Sequence, residues 1–245
     1  MTYCMGILLQ QGLVMVSDSL TNAGVDQIAK FRKMTIWETP GERVLVLMTA
    51  GNLAVSQAVV AHLNEGLSLN GKSESMMTVT TVAAAARLVG AAVRSVDAVD
   101  GGALRQSGLD FDVSMILGGQ IAGGPLRLFL IYKAGNFIES TPDTPFFQIG
   151  ENKYGKPILD RVITFSTNLA DASKCAIISM DSTLRSNISV GPPIDLLIYR
   201  RDALKVATHQ TLADTDPYFA EVRAAWGSGL RAVFSEIRNP PWNFG

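Results

Sequence analysis

Histidine and cysteine are scarce in this chain, with two of each in 245 residues: His62 and His209, Cys4 and Cys175. Neither histidine belongs to a ligand-spaced cluster, which argues against structural zinc, any other bound metal and a serine, histidine, aspartate triad. Each cysteine sits inside an apolar pattern, so buried free thiols are expected rather than a disulfide or a reactive thiol. No apolar run approaches the roughly 18 residues that a membrane span requires. The start lacks the basic region and small-residue cleavage site of a signal peptide, and a cytoplasmic protein is expected. Charge of one sign is missing too: 21 Lys plus Arg against 22 Asp plus Glu leave a net charge of −1. Nothing in that balance attracts nucleic acid or a strongly charged partner. The glycines form no G-x-x-x-x-G-K-[ST] pattern, so ATP use would belong to a separate partner.

What is present is a globular composition. Hydrophobic residues make up 47% and charged residues 18%, enough for one large core, and a single domain over 1–245 is expected. Two apolar runs flank Q-Q-G at 10–12 and read as a hairpin. A polar loop is predicted over 21–26 and a third strand over 31–39, where alternation puts Phe31, Lys33, Thr35 and Trp37 on one face. A fourth strand spans 43–51. Asn52 caps a helix carrying Val55, Val59 and Leu63, closed by Gly66. A polar insert at 68–75 precedes a second helix over 78–96, and Gly101, Gly102 and Gly108 mark a loop. Strands at 110–120 and 125–135 pair across G-G-Q-I-A-G-G. A short strand lies within 135–144, and F-F-Q-I-G leads into helices near 153–163 and 169–185, before the strand I-D-L-L-I-Y-R. Asp216 and Pro217 start a last helix with Val222, Trp226, Leu230, Phe234 and Ile237 in a line. That order of blocks points to an α+β fold.

Residues 2–33 hold the chemistry. The hairpin register sets Thr2 opposite residues 19–21 and so brings Asp18 beside it. If Met1 is removed, Thr2 gains an α-amino group next to its own hydroxyl, and an amine with an ordinary pKa of about 7.7–8.0 can take the hydroxyl proton near neutral pH. On sequence geometry alone, Thr2 is still first a residue after a start codon. Asp18 with Lys33 is likewise first an ordinary ion pair, and Gly51 a residue that lets a strand meet a helix.

The ordered motifs T-Y-C-M-G, S-D-S-L-T-N-A-G-V-D, F-R-K-M and M-T-A-G-N resemble the proteasome β-subunit and its relatives among the N-terminal-nucleophile hydrolases. The stretches G-E-N-K-Y-G-K-P-I-L-D-R at 150–161 and R-S-N-I-S-V-G-P-P-I-D-L-L at 185–197 are similar to those of the bacterial Anbu ("ancestral β-subunit") group in particular. The likeness runs from Thr2 to about residue 201. It implies a four-layer αββα sandwich of two antiparallel sheets and a threonine peptidase with Thr2 as nucleophile. Lys33 would lower the pKa of the Thr2 hydroxyl and amine, and Asp18 would hold Lys33 in place. The Gly51 N–H would meet the oxyanion, and Thr21, Thr49 and Leu53 would line the pocket before the cut, favouring an apolar or small side chain. No cofactor is implied.

Several positions depart from that pattern. Leu20 stands where a D-x-R pattern carries arginine. At 150–152 the proteasome has a serine that relays a proton to the terminal amine, which Glu151 or Asn152 replaces only in part. Ser186 and Asn187 before Ser189 stand near a second relay position. Low peptidase activity follows from these changes. Beside a peptidase working on peptides as a homo-oligomeric ring or open spiral, two other readings stand: a ring-forming scaffold or binding subunit without efficient turnover, and an amidase acting on a small amide. The helix and tail from about 216 suit a subunit interface. Trp242 and Phe244 would dock on a neighbour or fold back on their own domain.

Overall fold

Two five-stranded antiparallel sheets lie face to face in the computed structural model, which describes residues 2–22, 28–69 and 71–242, with the side chains of 21, 22, 28, 29 and 69 outside that description. In chain order the elements begin with β1 (Tyr3–Leu9), β2 (Gly12–Asp18), β3 (Leu20–Asn22), β4 (Ile28–Lys30), β5 (Met34–Thr39) and β6 (Arg43–Gly51). Helix α1 (Leu53–Glu65), the small hairpin β7 (Leu67–Leu69) and β8 (Lys72–Glu74), and α2 (Val82–Val96) follow. A short α3 (Gly102–Gln106) leads to β9 (Val113–Ile121), β10 (Arg127–Ile131), β11 (Phe137–Glu139) and β12 (Phe146–Gly150). The chain closes with α4 (Lys156–Val162), α5 (Leu169–Ser186), β13 (Ile194–Arg200), β14 (Thr208–Leu212) and α6 (Pro217–Glu236).

Sheet one has the order β12-β1-β2-β13-β14 and sheet two the order β11-β10-β9-β6-β5. Every residue of β1 and β2 is buried, because alternate side chains enter different cores. Cys4, Leu13 and Met15 meet Met48, Ile116 and Leu128 of sheet two between the sheets. Tyr3, Ile7 and Val16 meet Ala176, Met180 and Phe219 beneath α5 and α6. On the opposite side, Leu45, Leu47 and Phe129 of sheet two meet Val59, Ala86 and Val89 of α1 and α2. Helices therefore cover both outer faces, giving the four layers of an αββα sandwich. Each fully buried aliphatic side chain contributes about 1.5–3 kcal/mol, so truncating Met15 or Leu47 to alanine would loosen two layers at once.

Four local readings are corrected. The third strand begins at Met34 rather than residue 31, so Lys33 sits in the connection before β5 and is placed by its hydrogen bonds instead of by strand alternation. Of the predicted loop at 21–26, residues 21 and 22 belong to β3, and 23–26 lie outside the described residues. Gly101 and Gly102 are helical: a π turn, Asp97–Gly101, continues α2 into α3. The Asp97 carboxylate lies where a Cβ on Gly101 would stand and pairs with Arg105 at 3.1 Å, which explains how glycines serve a helix here. Strand β14 had no prediction, because T-H-Q-T-L shows only weak alternation on a sheet edge. The second helix starts at Val82, behind its cap Thr81, four residues after the expected 78. Among the described residues no helix is long and apolar enough to cross a membrane, and no cluster of three metal-ligating groups occurs. Cys4 and Cys175 are both buried and free.

Candidate functional site

The β1/β2 hairpin turns on Gln10 and Gln11, with Leu9 opposite Gly12 and Cys4 opposite Ser17. That register carries Thr2 and Asp18 to the same end of sheet one. Asp18 is fully buried. Its Oδ1 accepts the Tyr3 amide at 3.0 Å and Lys33 Nζ at 2.6 Å, while Oδ2 accepts the Gly191 amide at 3.3 Å. Burial pushes this carboxyl above its ordinary range, against the pull of Lys33 and the two backbone donors. Three N–H donors converge on it, one of them the Lys33 ammonium, and all three favour its ionised form.

Lys33 is 5% exposed, and a second oxygen holds its ammonium: the Leu20 carbonyl accepts Nζ at 2.6 Å. Its own carbonyl accepts the Thr49 amide at 3.0 Å, which ties the lysine to β6 and hence to sheet two. Cys4 lies next to this pair, its thiol directed at the Thr49 carbonyl at 3.8 Å. Burial, reinforced by the charge of Asp18, pushes the Cys4 thiol far up and leaves it protonated and unreactive.

Thr49 shares a face with Leu45 and Leu47, and two residues later β6 ends at Gly51. Gly51 has φ +109°, and a Cβ there would stand 2.3 Å from the Asp112 carbonyl. Only glycine fits so close a crossing at that angle. Asn52 then donates its amide to Asp112 at 2.7 Å and caps α1 through the amides of Ala54 and Val55. Leu53, half-buried, opens the helix. Thr21 lies in β3 opposite Ala29, and its side chain is outside the described residues.

On the other side of Thr2, its carbonyl accepts the Glu151 amide at 2.7 Å. Gly150, opposite Tyr3, makes this possible, since a Cβ there would lie 1.9 Å from the Thr2 carbonyl oxygen. The Glu151 carboxylate is buried. It accepts Asn187 Nδ2 at 3.1 Å and the Lys153 amide at 3.4 Å, and Asn187 Oδ1 accepts the Ser189 amide at 2.9 Å. Asn152 is exposed, with its carbonyl accepting the Lys156 amide at 2.9 Å, and Ser186 is exposed at the end of α5. The structure thus joins Asp18 to Lys33, Lys33 to Thr49, and Thr2 to Glu151 and Asn187. Asn152 and Ser186 stand apart from these bonds.

Three contributors escaped sequence reasoning: the Tyr3 amide, the Leu20 carbonyl and the Gly191 amide. All are backbone groups. G-P-P at 191–193 signals a turn, yet nothing in it says which carboxylate the turn meets.

No family model and no curated protein matches the chain. Solved structures do. Anbu (ancestral beta-subunit) from Yersinia bercovieri is 46% identical over 98% of this chain and 99% of its own, with a TM-score of 0.91. Anbu from Hyphomicrobium sp. strain MC1 is 48% identical over 98% and 100%, with a TM-score of 0.89. The helical assembly of the Anbu complex from Pseudomonas aeruginosa contains a chain 48% identical over 99% and 100%, with a TM-score of 0.92.

Proposed function

Since the chain belongs to the Anbu (ancestral beta-subunit) family, a proteasome-β-like branch of the N-terminal-nucleophile hydrolases, we propose that it is a threonine peptidase subunit acting through Thr2 after loss of Met1. The observation that carries this reading is the buried pair of Asp18 and Lys33, 2.6 Å apart, whose shared carboxylate oxygen also holds the amide next to Thr2. A lysine kept charged in a dry site favours ionisation of a nearby hydroxyl. The Thr2 amine takes the hydroxyl proton, and the oxygen attacks the substrate carbonyl. The Gly51 N–H stabilises the resulting oxyanion, and the ammonium returns its proton to the leaving amine. Water then cleaves the Thr2 ester, with the amine again as base. Met1 lies outside the described residues, so mass decides its fate.

We also propose self-assembly, as an open spiral of like subunits. The apolar stripe of α6 supports it: Phe219 and Val222 are buried in their own domain, whereas Leu230, Val233, Phe234 and Ile237 further along are exposed. Trp242 beyond the helix is 70% exposed. One stripe half covered and half bare is what an arm reaching a neighbour shows. The same stripe favours a second reading, a scaffold that assembles without efficient turnover.

A peptide epoxyketone, followed by intact mass, tests the first reading. An adduct on Met1-free protein that is lost in Thr2→Ala is expected. Met1-free protein that takes no adduct supports the scaffold. Faster turnover of small unblocked amides than of peptides would make the enzyme an amidase.

A further inference from the structure

Four carboxylates are buried in the described residues: Asp18, Glu151, Asp181 and Asp195. Asp18 has Lys33 at 2.6 Å, Asp181 has Arg223 at 2.7 Å and Arg185 at 3.5 Å, and Asp195 has His209 at 4.0 Å with the Thr211 hydroxyl at 2.7 Å. The imidazole beside Asp195 is a cation only when protonated, and Glu151 has no basic side chain paired with it at all among the described residues. Its hydrogen-bond donors are the Asn187 amide and the Lys153 backbone, both neutral. A buried carboxylate without a cation is costly, so its position calls for one.

The chain end can supply that cation. Tyr3 faces Gly150 in the β1/β12 register, which sets Thr2 opposite Glu151, and the two are joined by the Glu151 amide on the Thr2 carbonyl at 2.7 Å. We infer that, once Met1 is gone, Glu151 is the counter-ion of the Thr2 α-ammonium and holds the base of the nucleophile in its protonated, inactive form near neutral pH. The inference rests on Thr2 being the N-terminal residue, as proposed above.

The other charged groups around Thr2 leave this balance in place. From β2, Asp18 is spent on Lys33, and Lys33, from the segment before β5, is spent on Asp18 and the Leu20 carbonyl. From β1, the Cys4 thiol is neutral. From the segment after β12, Lys153 is exposed and offers its backbone amide. From α5 and the turn that follows come Arg185, which pairs with Asp181, and the neutral Asn187 and Ser189. Among the described residues no cationic side chain is paired with Glu151, and a nearby carboxylate favours an ammonium over an amine. The amine's pKa therefore rises above its ordinary value of about 7.7–8.0, and each unit of rise removes about tenfold of the neutral base at a given lower pH. Glu151 thus acts as a positioning residue that makes activity depend on alkaline conditions.

Competitive labelling of the α-amine with trace acetic anhydride from pH 6 to 11, read by mass spectrometry of the N-terminal peptide, measures this titration without substrate. The protein used has Thr2 at its terminus by mass, after methionine aminopeptidase treatment where Met1 persists. In the wild type the amine should titrate about one unit or more above the ordinary value. Glu151→Gln should bring it back, and Glu151→Asp should keep it raised. A wild-type amine at or below the ordinary value overturns the inference, as does a folded Glu151→Gln variant with an unmoved titration. Should Glu151→Gln not fold, the wild type and Glu151→Asp decide alone. Failure to cleave any peptide would count against the peptidase and leave the titration result standing.

Discussion

Leu20 supplies the Lys33 ammonium with an oxygen at 2.6 Å, the same distance as Asp18 does. A side chain that cannot hydrogen-bond is no loss to the lysine at this position, because the backbone carbonyl does the holding. The Leu20 side chain has another task, packing on Gly191, whose amide reaches Asp18. Leu20 and Gly191 together border a cleft of about 420 Å³ that Arg185 and Arg223 also line.

That packing is testable as a pair. A Cβ on Gly191 would lie 2.7 Å from Leu20 Cδ2. Gly191→Ala should destabilise by about 1–3 kcal/mol through overpacking, and Leu20→Ala in the same chain should return part of that loss. Urea unfolding of the two single variants and the double variant gives the coupling; strictly additive losses would refute direct packing.

Breaking the ion pair from one side should be worse than removing both partners. Lys33→Met leaves the Asp18 carboxylate buried with only two amides and should cost about 3–5 kcal/mol, while Asp18→Asn with Lys33→Met should recover much of it. Chemical denaturation checks the order. Both variants should lose peptide cleavage and epoxyketone labelling.

Gly51→Ala places a Cβ on a backbone at φ +109° and against the Asp112 carbonyl. We expect a loss on the order of 2–4 kcal/mol and displacement of the proposed oxyanion donor. A thermal melt within a degree of the wild type would show that the β6/α1 junction is more yielding than its geometry indicates.

Alkaline pH should destabilise the fold through Cys4. Burial raises its thiol well above the unfolded value of 9.0, so the folded form keeps a proton that the unfolded form releases. An acid whose folded pKa is raised contributes nothing below its unfolded pKa and favours unfolding as pH climbs past it. Melting temperature should fall from about pH 9 upward, and less steeply in Cys4→Ala, by scanning calorimetry.

Assembly should depend on the bare half of α6. Phe234 is 78% exposed, and Phe234→Asp, alone or with Ile237→Asp, should disperse oligomers without unfolding the subunit. Sedimentation velocity reads the size and circular dichroism the fold; unchanged oligomers would move the interface elsewhere.

The comparison of sequence with structure divides along physical lines. Local order was legible where the apolar pattern was unbroken or regular: the hairpin at 2–19 follows from two apolar runs about a polar turn, the strand 43–51 from one nearly continuous apolar run, and the stripe of α6 from apolar residues about four apart. It was not legible where tertiary bonds overrode local preference. Lys33 stands outside its strand because Asp18, Leu20 and Thr49 hold it, and Gly101 is helical because a neighbouring carboxylate uses the space of its missing Cβ.

For the candidate site, the chain alone determined which groups exist: a hydroxyl at residue two, a carboxylate at 18, an ammonium at 33 and a glycine at 51, together with the hairpin register that draws the first two together. Only the folded sandwich decided that Glu151 is joined to Thr2 with no lysine or arginine paired to it among the described residues, and that backbone groups of Tyr3, Leu20 and Gly191 set the ion pair. Side-chain identity and spacing are written in the order of residues. Burial and backbone convergence arise from segments up to 173 positions apart meeting in space, which no local pattern encodes.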